Sequence, residues 1–136
     1  MVVSIGTDIV AVARIEAVLQ RHPEAFPRRI LHEDELTRFL ALGRSVPYLA
    51  RRFAAKEAIS KALRCGIGTV GWRDLRISND PAGAPVATLF GNALARLEEL
   101  GGRHIHVTLS DEREYVVAFA VIDGDPRTDA AAAALR

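Results

Sequence analysis

A chain of 136 residues, 49% hydrophobic and 26% charged, has the composition of one globular domain and excludes a disordered or fibrous protein. Eighteen Lys and Arg against seventeen Asp and Glu leave a net charge of +1, which excludes a generally basic nucleic-acid binder but not a local basic patch. A single cysteine, Cys65, excludes an internal disulfide framework and a multi-cysteine zinc site.

The start at Met1-Val2-Val3-Ser4 lacks a basic-then-apolar signal segment, and the longest strongly apolar run, Val116 to Ile122, is too short to span a bilayer. A soluble domain in the reducing cytoplasm, with no membrane association, is the expectation.

Val2 to Ile5 is a β-branched run ended by Gly6, which reads as a strand entering a turn. Thr7 and Asp8 then offer N-cap oxygens to a helix reaching about Gln20, with Ile9, Val12, Ile15, Val18 and Leu19 at helical spacing. Pro23 and Pro27 break the pattern. A second helix spans about Glu33 to Leu42, its acidic first turn of Glu33, Asp34 and Glu35 suiting the helix dipole. Pro47 opens a third helix that stops near Gly66.

Beyond Gly68 the period shortens. Asp74 to Ser78 and Pro85 to Phe90 alternate on either side of the turn cluster Asn79 to Gly83, the mark of a hairpin. Asn92 to Leu100 reads as a helix, and His104 to Leu109 with Tyr115 to Ile122 as a second strand pair. The predicted order β-α-α-α-β-β-α-β-β favours an α+β fold with a largely antiparallel sheet. A single domain over 1–123 and a frayed tail over 124–136 are expected.

The third helix carries the residues least suited to a purely structural role. At about 100° per residue, Lys56 falls inside the apolar arc of Leu49, Phe53, Ile59 and Leu63, where it must pair, snorkel or meet a ligand. By phase it could anchor Glu57 or touch substrate. Glu57 and Lys61 stand one turn apart, as an ordinary surface pair or as chemistry.

Asp8 is an N-cap or, at the rigid end of a strand, a metal carboxylate. Asp8 with Glu57 would suit Mg²⁺, which takes few carboxylates and completes its shell with water and phosphate oxygens. His104 and His106 share a strand face, as half-buried histidines or as a transition-metal pair lacking a third ligand at motif spacing. Cys65 reads as a small apolar residue, with no base or catalytic signature near it in the sequence. Gly66-Ile67-Gly68 could approach a phosphate without matching a P-loop. Arg14 and Arg21, with Arg28 and Arg29 beyond, form a solvated face or a patch for an acidic partner.

Two linked segments also form a family pattern. Ser4-Ile5-Gly6-Thr7-Asp8-Ile9-Val10 with Arg14-Ile15-Glu16, and Arg52-Phe53-Ala54-Ala55-Lys56-Glu57-Ala58-Ile59-Ser60-Lys61-Ala62, resemble the opening and the central helix of the holo-acyl-carrier-protein synthases. These are the short-chain 4′-phosphopantetheinyl transferases. Asn79 to Pro85 and His106 to Val121 match as well, so the resemblance covers about residues 2 to 122.

It implies transfer of 4′-phosphopantetheine from coenzyme A to a serine of an acidic acyl carrier protein, releasing adenosine 3′,5′-bisphosphate. It further implies Mg²⁺ on Asp8 and Glu57, Lys61 and the Gly66 loop toward coenzyme A, Arg14, Arg21 and Arg28 toward the carrier, and a homotrimer. Glu57 is the candidate base for the serine proton. This chain departs from the family pattern at Asp111, where many relatives have histidine, and at Arg64-Cys65-Gly66, where Gly-Thr-Gly is familiar.

Overall fold

The computed structural model describes residues 1–126. Strand β1 (Val2–Ala11) leads into helices α1 (Val12–Arg21), α2 (Ala25–Ile30), α3 (Glu33–Ala41) and α4 (Val46–Ala62). A 3-10 turn at Trp72–Asp74 precedes the hairpin β2 (Leu75–Asn79) and β3 (Pro85–Leu89). Helix α5 (Gly91–Glu99) and strands β4 (Gly102–Asp111) and β5 (Tyr115–Gly124) complete the fold.

The architecture is α+β, and every strand pairing is antiparallel. The strands form two sheets: a three-stranded one in the order β1-β5-β4, and the separate β2-β3 hairpin. No helix among the described residues is long and apolar enough to cross a membrane.

Helix α4 is the spine. Ser45 caps it by accepting from the Tyr48 amide at 3.3 Å, Pro47 stands in its first turn, and Arg64 just beyond its end adopts φ 58°. Eleven of its seventeen residues are buried, so it runs through the core rather than over it. Ala54, Ala55, Ala58 and Ala62 leave room for the sheet to come close, and Ala118 and Ala120 of β5 are equally small and fully buried.

Three expectations need correction. The first helix does not start at Thr7. Strand β1 stays paired with β5 through Ala11↔Tyr115, and Ala11 occupies the N-cap of α1 without a side-chain cap bond. Nine paired residues of ladder outweigh the local capping signal of Thr7 and Asp8, and the Thr7 hydroxyl instead donates to the Ala118 carbonyl at 3.0 Å.

Pro27 does not break the chain but belongs to α2, an extra helix in the order. It is the third residue there, where the missing amide hydrogen would have had no intrahelical acceptor. Gly124, expected in the tail, ends β5, its amide donating to the Met1 carbonyl at 2.9 Å. The rest of the expected tail, 127–136, lies outside the described residues.

Candidate active site

The alternation of β1 points Ser4, Gly6, Asp8 and Val10 toward the helices and Ile5, Thr7 and Ile9 away. Gly6 lies directly on α4. A Cβ there would collide with the Ala58 carbonyl oxygen, stand 2.6 Å from the Ala62 amide nitrogen and 3.1 Å from the Lys61 Cβ. The Ser4 hydroxyl donates to the Ala62 carbonyl. Strand and helix are thereby locked together, and Asp8, two residues on from Gly6, stands over the Glu57–Lys61 turn.

There Lys61 Nζ donates to Asp8 Oδ1 at 3.2 Å and to the Thr7 carbonyl at 3.0 Å. Of the two readings of that spacing, the Glu57–Lys61 surface pair gives way to a pair across two elements. Asp8 is mostly buried while the Lys61 side chain remains half exposed. Glu57 is half-buried, and its carboxyl is pushed above the ordinary range, first by burial and then by the negative charge of Asp8. Lys61 and Arg14 pull in the opposite direction, so Arg14 borders the same site. Two carboxylates close enough to oppose each other's ionisation form a hard-oxygen donor pair that a divalent cation relieves. No group of three or more His, Cys, Asp or Glu suited to a metal occurs among the described residues. A cation here would complete its shell with water or substrate oxygens, as Mg²⁺ does.

A cavity of about 550 Å³ opens beside Glu57. Its walls are Val18 of α1 and His22 just beyond that helix, Phe26, Arg29 and Ile30 of α2, Phe53 of α4, Ile67 and Trp72. Phe53 stacks on Trp72 with ring centroids 5.0 Å apart and meets Phe26 at 6.3 Å. Gly66, in the left-handed region at φ 67°, carries the chain into Ile67.

Arg14, Arg21, Arg28 and Arg29 are all exposed. Arg28 faces Glu24 at 3.7 Å in a solvated pair. A separate cleft of about 420 Å³, beside the N-terminal half of α4, is lined by Arg38, Arg51 and Arg52 with Tyr48 and the Gly83 turn. Three guanidinium groups suit a phosphate or carboxylate. Asp111 pairs with Arg51 there at 3.5 Å.

Lys56 behaves differently from either expectation. It neither anchors Glu57 nor reaches the cavity, but is fully buried, with its Nζ donating to Glu35 Oε1 at 2.6 Å. Glu35, expected as a dipole-favoured surface acid, is itself buried and also accepts from the His32 and Ile77 amides. His104 and His106 are exposed rather than half-buried, and both contact Asp123, at 3.1 and 2.6 Å. Cys65 is partly buried, and burial raises its thiol, as befits an unreactive packing residue.

The profile of the 4′-phosphopantetheinyl transferase superfamily matches residues 4–120. A holo-[acyl-carrier-protein] synthase of Halorhodospira halophila is 49% identical over 123 residues, covering 90% of this chain and 98% of the relative. The crystal structure of the Neisseria meningitidis holo-[acyl-carrier-protein] synthase superposes with a TM-score of 0.83 at 43% identity, covering 90% of this chain and 99% of that one. The Helicobacter pylori synthase in complex with coenzyme A gives a TM-score of 0.76 at 32% identity, covering 88% and 99%. The chain belongs to the holo-[acyl-carrier-protein] synthase family of 4′-phosphopantetheinyl transferases.

Proposed function

We propose that the protein transfers 4′-phosphopantetheine from coenzyme A to a serine of an apo acyl carrier protein, with Mg²⁺ as cofactor and adenosine 3′,5′-bisphosphate as the second product. The observation that carries this reading is the convergence of Asp8, Lys61 and Arg14 on Glu57, which itself lines a largely apolar cavity. The coenzyme A complex of the Helicobacter pylori relative supports the choice of donor.

The serine Oγ forms a bond to the phosphorus nearest pantetheine, and the phosphorus–oxygen bond to the nucleotide half breaks. Little covalent help is needed; the demand is in-line positioning and neutralisation of the spreading negative charge. Lys61, held by Asp8 and the Thr7 carbonyl, presents its ammonium to the pyrophosphate. Glu57 receives the serine proton. Asp8 and Glu57 would hold Mg²⁺, which supplies further positive charge to the pyrophosphate oxygens. The exposed arginines of α1 and α2 dock the acidic carrier.

The active assembly is a homotrimer in the cytoplasm. The outer face of the three-stranded sheet supports association, because Ile5 and Ile9 are 60% and 64% exposed beside Val117, Phe119 and Tyr115. A native mass of three chains, reduced by Phe119→Glu, checks this.

Intact mass spectrometry of an apo acyl carrier protein, incubated with this protein and coenzyme A, tests the reaction. A gain of one phosphopantetheine with Mg²⁺ and none with EDTA is expected. No gain with several carriers overturns the reading.

A further inference from the structure

Only two lysines occur in the chain, and both lie on α4: Lys61 faces the site, and Lys56 is buried behind it. The three donors of the Lys56 ammonium meet three acceptors: the Ile30 carbonyl at 2.7 Å, Glu35 Oε1 at 2.6 Å and the Trp72 carbonyl at 3.2 Å. A compact ammonium serves three directions at once, where a planar guanidinium would not.

Two of those acceptors belong to residues that line the cavity beside Glu57. Ile30 ends α2, a helix of six residues that is too short to hold its own orientation. Its last carbonyls lack intrahelical partners, and a cation at a helix C-terminus is favourable, so Lys56 acts as the terminal clamp of α2. Trp72 forms the facing wall and stacks on Phe53, which meets Phe26 of α2. From behind the cavity, one side chain ties both walls. Glu35 is the counter-charge that makes this burial tolerable, and it carries the tie onward to β2 through the Ile77 amide.

We infer that Lys56 is a positioning residue for the acceptor: it fixes α2 and the Trp72 turn, and with them the cavity wall and the α2 arginines, Arg28 and Arg29, that help receive the carrier protein. The inference rests on the function proposed above. It requires that loss of Lys56 weakens use of the carrier while the chemistry at Asp8, Glu57 and Lys61 persists.

Steady-state kinetics on the full chain, with carrier protein and coenzyme A varied in turn, test it in Glu35→Gln and in Glu35→Gln/Lys56→Met. The single variant removes the charge pair but keeps both carbonyl bonds, and both KM values should stay within about twofold of wild type. In the double variant, with those charge-assisted bonds gone, the KM for carrier should rise about tenfold. Its kcat and its KM for coenzyme A should change less than threefold. Equal carrier KM in the two variants, or a fall in kcat alone, overturns the role of Lys56 and leaves the transferase reading intact. Absence of transfer by the wild-type chain overturns that reading itself. If the double variant does not fold, Lys56→Gln takes its place with the same split expected at smaller amplitude, and absence of the split again overturns the role.

Discussion

Gly6 of β1 and Ala62 of α4 approach so closely that a Cβ on the glycine would stand 2.6 Å from the alanine amide nitrogen. Both obstacles, that nitrogen and the Ala58 carbonyl, are backbone and cannot swing aside. Gly6→Val should therefore lower stability by about 3 kcal/mol or more, read by thermal or denaturant melting. Gly6→Ala should lift β1 off α4 and separate Asp8 from Lys61, so transfer falls further than the loss of folded protein accounts for. An alanine variant with wild-type turnover would show that the close approach does not set the site.

Asp8→Asn and Glu57→Gln each remove one hard oxygen charge from the proposed metal pair. Transfer should drop by about a thousandfold in either, the scale of losing one preorganised electrostatic element. The fold should survive Asp8→Asn, because the Lys61–Asp8 pair is partly solvated and contributes at most about 1 kcal/mol. Transfer rates measured against Mg²⁺ concentration check both points, with EDTA abolishing activity in the wild type.

Arg14 is exposed yet close enough to influence Glu57, so it would join the proposed docking face to the proposed reaction centre. Arg14→Glu should raise the KM for carrier protein far more than that for coenzyme A. In the wild type the carrier KM should climb with added salt, and the variant should show a shallower climb. Equal effects on both substrates would remove Arg14 from the docking surface.

Tyr48 is buried, and burial pushes its phenol above the ordinary tyrosine range against the pull of the Arg52 guanidinium 4.6 Å from its ring. In the unfolded chain the phenol ionises near pH 10, whereas the folded chain still holds the proton there. Just above that pH the unfolded state therefore binds fewer protons, and stability falls as pH rises through the folded value. The melting temperature should decline above about pH 10, and Tyr48→Phe should flatten part of that decline.

The residues proposed for the reaction were legible as candidates because the family pattern and the helical spacing of Glu57 and Lys61 both lie in continuous sequence. Asp8 was legible as a candidate site residue but not as a strand residue, since Thr7-Asp8 is a sound capping signal that only pairing with Ala118 and Phe119 overrules. Helix α2 escaped notice because a proline reads as a breaker until its position from the helix start is known. The partner of Lys56 could not be read at all: Glu35 lies 21 residues away on another helix and looked like a dipole-complementing acid. Helical phase did point to Lys56 itself, by placing it inside the apolar arc of Leu49, Phe53, Ile59 and Leu63. The cavity draws its walls from α1, α2, α4 and the loop through Ile67 and Trp72, a juxtaposition no local period encodes.

Trp72, the only tryptophan of the chain, forms one wall of that cavity. The protein consequently carries an optical probe at the place proposed to receive the acceptor. Its ultraviolet emission is free of any background from a second indole, and filling the cavity displaces water from one ring. Occupancy can thus be followed by intrinsic fluorescence in the unlabelled enzyme, on the stopped-flow timescale and before any bond is made or broken.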